Sequence, residues 1–256
     1  MTHADDRRFS GVSRLYGPEA AERLRNAHVC IVGVGGVGSW SAEALARTGI
    51  GAITLVDLDM VAESNTNRQI HALDNIYGKA KVDAMAERIQ AINPACKVSR
   101  IEEFVEEGNT ERILGQENFS VVIDAIDQVR PKAAMAVFCK VHRLPLVVAG
   151  AAGGQIDPTQ IKVADLSEAI QDPLLAKLRS RLRKEHGFPK GPKRKFGIPA
   201  VFSTEPLRYP DRGSQCELPA NPLTGLACAG FGSSVCVTSV FGMTAAAVAI
   251  NQIANC

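Results

Sequence analysis

Six residues constrain this chain more than any others. Gly33-Val34-Gly35-Gly36-Val37-Gly38 spells G-x-G-x-x-G at the end of an apolar run, residues 28–34 (HVCIVGV). A continuous apolar run with no polar alternation reads as a parallel strand buried on both faces. Residues 39–47 follow, with Trp40, Ala44 and Leu45 apolar, and read as a helix. Glycines between a strand and a helix let backbone N–H groups approach phosphate oxygens, and the helix N-terminus adds positive potential. Asp57 closes the next apolar run, residues 52–56 (AITLV). A carboxylate there can accept hydrogen bonds from ribose hydroxyls. This much suits NAD, FAD or ATP equally.

The alternation of strands and helices continues. Residues 78–93 carry Val82, Met85, Ala86, Ile89 and Ile92 at helical spacing. Residues 98–101 read as a third strand, 120–126 (SVVIDAI) as a fourth, 131–142 as a helix and 145–149 as a fifth strand. This order predicts an α/β fold, a Rossmann-like doubly wound, mainly parallel sheet over residues 27–150. After Gly150 the pattern changes. Residues 153–163 (GGQIDPTQIKV) read as two strands around an Asp-Pro turn. Residues 151–256 are therefore expected to form an antiparallel extension within a single domain spanning 1–256, a length that can bury one such core.

Seven cysteines are present and none forms a C-x-x-C pair, which argues against a structural zinc site. Their odd number and the polar first ten residues fit a reducing, cytoplasmic setting. Residues 226–250 carry no charge and are long enough to span a bilayer. They also hold several glycines, serines and threonines and lack a flanking basic cluster, so a buried strand or helix is expected, with membrane association the lesser alternative.

The residues after Asp57 discriminate among nucleotides. Ser64-Asn65-Thr66-Asn67-Arg68-Gln69 puts two amides and an arginine beyond the acids, and Gly78-Lys79-Ala80-Lys81 opens the next helix with two lysines. A dinucleotide carries only a pyrophosphate bridge, already served by the glycines. Arg68 and Lys81 suit a triphosphate better, since they can balance charge building on a leaving pyrophosphate. Asp127 follows the fourth strand, where a Mg²⁺ on that triphosphate would need a carboxylate. Asp124, inside the strand, reads as a buried structural acid, and Asp59 as a neighbour of Asp57 on the same side. His28 and His142 read as structural; His71 lies close enough behind Arg68 to approach the site.

Taken together, G-V-G-G-V-G, V-D-L-D, S-N-T-N-R-Q, G-K-A-K and I-D-A-I-D resemble the adenylation domains of ubiquitin-activating-type enzymes. That group includes activators of the sulfur-carrier proteins of molybdopterin and thiamin synthesis. Further motifs resemble its tRNA-modifying branch, which dehydrates threonylcarbamoyladenosine: Arg14-Leu15-Tyr16-Gly17, V-R-P-K-A-A at 129–134, A-G-G-Q-I-D-P-T-Q-I at 152–161 and V-F-S-T-E at 201–205. The resemblance implies that Gly33, Gly35, Gly36 and Gly38 cradle ATP and that Asp57 binds its ribose. It implies that Asn65, Arg68 and Lys81 contact the phosphates, with Asp59 and Asn67 as neighbours, and that Asp127 holds Mg²⁺. Arg14 would reach the triphosphate of a second subunit, which implies a homodimer. The zinc-binding cysteine pairs of the sulfur-carrier activators are absent. Cys216, in a polar stretch, is the best candidate for an exposed thiol, and Cys228 and Cys236 are expected to be buried. A sulfur-transfer protein is a further partner that the resemblance admits.

Residues 177–195 hold nine basic side chains: Lys177, Arg179, Arg181, Arg183, Lys184, Lys190, Lys193, Arg194 and Lys195. With one acid, Glu185, the segment is net +8 and leaves −6 for the rest of a chain whose total is +2. Such asymmetry suits a polyanion held on one face. Arg179, Arg181 and Arg183 alternate, which fits no single helical face, and Gly187, Pro189, Gly191 and Pro192 break a helix. The expectation is a mobile loop that orders on tRNA phosphates, with few aromatic contacts to bases. Three other readings stay open: activation of a sulfur-carrier or ubiquitin-like protein, a nicotinamide oxidoreductase, and a non-catalytic tRNA-binding protein.

Overall fold

The computed structural model describes residues 7–191, 194–209 and 231–255. Its strands are β1 (His28–Val32), β2 (Ala52–Val56), β3 (Lys97–Ile101), β4 (Val121–Asp124), β5 (Leu146–Ala149), β6 (Ile161–Asp165) and β7 (Pro199–Ser203). They form one sheet in the order β3-β2-β1-β4-β5-β7-β6. All neighbours are parallel except β6, which pairs antiparallel with β7. The helices are α1 (Ser10–Tyr16), α2 (Pro18–Asn26), α3 (Gly38–Thr48), α4 (Lys81–Ile92), α5 (Thr110–Leu114), α6 (Val129–His142), α7 (Pro173–Glu185) and α8 (Val235–Ala254).

The apolar run of β1 has a direct cause. Val29 and Ile31 enter one core, with residues of α2, α3, α4 and α8; Cys30 and Val32 enter another, with residues of α5, α6 and α7. Successive side chains point to opposite faces, and both faces are covered. From β1 the chain winds outward through β2 and β3, then returns to β4 beside β1 and winds the other way. A crevice opens where the winding reverses, at the carboxyl ends of β1 and β4.

The doubly wound, mainly parallel sheet is as expected, and two expectations change. Residues 153–163 hold one strand, not two. Asp157 accepts from the Thr159 N–H (2.9 Å) and caps a 3-10 turn over Pro158–Gln160, so the Asp-Pro step starts a turn that leads into β6. The expected antiparallel extension is present as β6 against β7, and β7 itself continues the parallel order from β5. The basic segment is not an open loop: its first part is α7, held down by buried Leu174, Leu175, Leu178 and Leu182. Beyond α7, Phe188 and Phe196 pack edge to face at 5.0 Å and are buried, so neither ring is available to a base. Lys193, Cys216 and Cys228 lie outside the described residues.

The uncharged segment forms α8, the one described helix long and apolar enough to cross a membrane; half of it is buried. It lies along α3. A Cβ on Gly242 would collide with the Val37 carbonyl and meet the Trp40 Cβ and the Ser41 nitrogen, and the Ser41 hydroxyl donates to the Gly242 carbonyl (2.9 Å). Contact this close needs glycine.

Candidate functional site: a nucleotide cavity at the sheet crevice

A cavity of about 610 Å³ occupies the crevice, lined by Gly33, Gly35, Gly36, Asp57, Asp59, Arg68, Lys81, Asp127 and others. Its floor is the loop from β1 to α3. Gly33 has φ +90°, open to glycine without strain, and its N–H donates to the Val56 carbonyl (2.8 Å). No side chain caps the N-terminus of α3; its Ser39 and Ser41 N–H groups donate to the Gly35 and Val37 carbonyls (both 3.1 Å), and the helix turns its positive end toward the cavity.

Asp57 fixes the loop as well as lining the cavity. Its carboxylate accepts from the Val34 N–H (2.6 Å) and the Asp59 N–H (2.9 Å). Burial pushes this carboxyl up from its ordinary range, while the Lys81 charge and the two N–H bonds pull it down. Lys81 opens α4, is buried, and donates to Asp59 (2.6 Å). Arg68 packs its side chain against Gly36 and donates to the Ser64 carbonyl and to Asn67 Oδ1, both at 2.9 Å. These acceptors are neutral, so its charge is free for an anion. Trp40 Nε1 donates to the Arg68 carbonyl (2.9 Å) and ties this segment to α3.

Asp124 is the structural acid that its position predicts. It is fully buried at the end of β4 and accepts from Lys132 Nζ (2.8 Å), which also donates to the Ala149 carbonyl (2.8 Å). Asp127, three residues on, lines the cavity and has no ion-pair partner among the described residues.

Residues 8–256 match the ThiF family. This chain belongs to the ThiF family. The ThiF-family chain is 52% identical over 249 residues to a tRNA threonylcarbamoyladenosine dehydratase of Escherichia coli (strain K12), covering 96% of this chain and 92% of the relative. A protein of the same name from Haemophilus influenzae is 47% identical, over 97% of this chain and 94% of that one. Among solved structures, the E. coli tRNA N6-threonylcarbamoyladenosine dehydratase TcdA in complex with ATP superposes with a TM-score of 0.88 at 50% identity. That match covers 98% of this chain and 96% of the other.

The fold of this ThiF-family protein gathers some expected residues and not others. Gly33, Gly35, Gly36, Asp57, Asp59, Arg68, Lys81 and Asp127 share the cavity. Gly38 does not line it; it is buried, and a Cβ there would collide with the Gly33 carbonyl, so its role is to close the turn. Asn65 is also outside the lining. Its Oδ1 accepts from the Ala62 N–H (3.0 Å), which holds the loop that carries Arg68. Asn67 steers Arg68 through its Oδ1 and donates to the Ser233 carbonyl and hydroxyl, both at 3.1 Å. Arg14 stands exposed on α1, away from the cavity. His71 is buried but not in the lining, and neither ring nitrogen has a hydrogen-bond partner among the described residues.

The basic residues divide as well. Lys177, Lys184, Lys190 and Arg194 are exposed. Arg181 pairs with Glu107 (3.0 Å) and Glu185 (2.9 Å), and Lys195 with Glu168 (3.6 Å). Arg183 lies over the Phe196 ring at 5.3 Å. Burial lowers the Arg179 guanidinium from its ordinary value, and Arg183 adds to this. Cys236 is exposed, against expectation, because it starts α8 on the side away from the core, whereas Cys30, Cys96 and Cys139 are buried. Sequence reasoning missed Gln69, Pro173, Leu207, Phe231 and Thr238 in the lining. Gln69 is adjacent to Arg68 and could have been found; the others come from distant segments.

Proposed function

We propose that this protein uses ATP to dehydrate threonylcarbamoyladenosine in tRNA through a carboxyl-adenylate. One observation carries the reading. A single glycine-floored cavity collects Asp57, Arg68, Lys81 and Asp127, in a chain about half identical to dehydratases of that name.

The free carboxylate of the threonylcarbamoyl group attacks the α-phosphorus of substrate ATP. A carboxyl O–P bond forms, the bond to the β-phosphate oxygen breaks, and pyrophosphate leaves with the electron pair. A nucleophilic atom of the same modification then attacks the activated carbonyl carbon, loses its proton and closes a ring, and AMP departs with the former carboxylate oxygen. The net change is the loss of one water. Activation is required because a carboxylate is a poor electrophile, and the internal nucleophile gains from proximity. Arg68 balances charge on the departing pyrophosphate, Lys81 supplies a second cation beside the α-phosphate, and Asp57 receives the ribose hydroxyls. No protein nucleophile is required.

Asp127 is the residue that would hold Mg²⁺. No group of three or more His, Cys, Asp or Glu side chains stands together among the described residues. One carboxylate fits this ion, which is commonly held by one or two carboxylates plus phosphates and water and which, when bound, neutralises phosphate charge. Arg14 reaches a cavity from a second copy, so the working form is a homodimer, in the cytoplasm. Lys177, Lys184, Lys190 and Arg194 offer exposed charge to tRNA phosphates.

The test is to incubate the protein with ATP, Mg²⁺ and tRNA bearing the modification, then weigh the released nucleoside. The expected mass is lower by one water. Unchanged mass, with pyrophosphate exchange that depends instead on a Gly-Gly-ended protein, would place the chain among sulfur-carrier activators.

A further inference from the structure

The cavity has two walls of different character. Toward β2 it is charged. Toward β5 and α7 it is built from Gly150, Ala151, Gly153, Pro173, Leu207 and Phe231, none of them charged. Phe231 stands against Tyr209, with ring centroids 5.2 Å apart and planes tilted by 54°. Phe231 lines the cavity and Tyr209 is 73% exposed, so the pair carries ring surface from the cavity wall out to solvent.

This wall is fastened by backbone. The Gly154 N–H donates to the Gly232 carbonyl and the Arg208 N–H to the Gly154 carbonyl, both at 2.8 Å, and Gly153 bridges Ser233. Ser233 accepts from Asn67, and Asn67 accepts from Arg68. The aromatic wall and the phosphate arginine are therefore positioned by one connected set of hydrogen bonds.

We propose that Phe231 and Tyr209 form the stacking wall for the modified adenine and set specificity for the RNA substrate. This rests on the dehydratase reading. With the ribose of ATP at Asp57 and its phosphates over the glycine floor, the polar wall is occupied, and the acceptor must enter from the uncharged side. The reacting carboxylate is joined to its base by only a short linker, so the base must lie close to the cavity. Unstacked RNA bases are held by aromatic faces. A peptide tail would instead call for a row of backbone hydrogen bonds, and this wall offers rings.

The test measures dehydration with purified modified tRNA, varying tRNA and ATP separately, for the wild type and for Tyr209→Ala, Phe231→Ala and Phe231→Tyr. Stacking on one ring contributes enough that each alanine variant should raise KM for tRNA roughly tenfold to a hundredfold. KM for ATP should stay at its wild-type value, and Phe231→Tyr should restore KM for tRNA. Free modified nucleoside should inhibit the wild type and lose potency against the alanine variants. Tyr209 is exposed, so its variant keeps the readout meaningful if Phe231→Ala unfolds. Wild-type KM for tRNA in Tyr209→Ala and in folded Phe231→Ala overturns the inference, as does an equal rise in KM for ATP. A wild type that dehydrates nothing overturns the dehydratase reading itself, and that result is distinct from active enzymes with unchanged constants.

Discussion

Two lysine–aspartate pairs stand near the carboxyl ends of the sheet, and they have different roles. Lys81 meets Asp59 at 2.6 Å beyond β2; Lys132 meets Asp124 at 2.8 Å at the end of β4. The first pair lines the cavity and Asp59 is 53% exposed; in the second, both side chains are 0% exposed. Lys132 also spans to the Ala149 carbonyl and so links the ends of β4 and β5. The chemistry is the same in both pairs and the access is not. A charge at a strand end becomes a binding group only where the fold leaves one of its sides open.

That contrast can be broken by mutation. Lys132→Ala should cost about 3–5 kcal/mol in denaturant unfolding, because it strands a buried carboxylate. Asp124→Leu with Lys132→Met should recover most of the loss. If Lys132→Ala is as stable as Lys81→Ala, the two pairs do not differ as described. Arg68→Ala and Lys81→Ala should instead leave the unfolding midpoint nearly unchanged and slow adenylation roughly a hundredfold to a thousandfold, about 3–4 kcal/mol, in a pyrophosphate-release assay.

His71 sharpens the contrast, since it is buried with no hydrogen-bond partner among the described residues. Burial, helped by the Lys81 and Arg88 charges, lowers its pKa from 6.5 to about 4. The unfolded chain takes a proton at about pH 6.5 that the folded chain refuses until about pH 4. The contribution is thus fully present above pH 6.5 and falls progressively as pH drops to 4, by about 3 kcal/mol in all. His71→Leu should flatten that part of the stability–pH curve measured by denaturant titration. The smallest effect is expected on the outer face. Lys184→Ala or Lys190→Ala should weaken tRNA binding by less than about 1 kcal/mol near physiological salt and reduce the log–log salt slope by roughly 0.7–0.9 each.

The nucleotide half was legible because its signals are local. A strand buried on both faces must be apolar throughout, and a loop beneath phosphates must lack side chains; residues 28–38 satisfy both. Asp57 and Asp127 follow strand ends and Lys81 opens a helix, positions that place them at the crevice, and Arg68 lies in the segment between β2 and α4. The roles of Asn65 and Asn67 were less legible, because an amide can hold backbone as readily as phosphate. The missed α7 had a signal. Asp172-Pro173 supplies an N-cap and first turn, and Leu174, Leu175, Leu178 and Leu182 keep helical spacing. The alternating arginines drew attention away from them. Phe231, Leu207 and Thr238 could not be assigned, since their place in the lining depends on how distant segments pack onto the sheet.

The close crossing at Gly242 has a consequence for synthesis. The loop that receives phosphate is braced by a residue 201 positions beyond Ser41. A ribosome makes the glycine motif early and the brace late. Through most of translation the nascent chain therefore holds the motif as a string of letters without its shape. Competence for ATP arrives with the last helix described, so an interrupted chain that stops before Val235 should emerge unable to consume ATP.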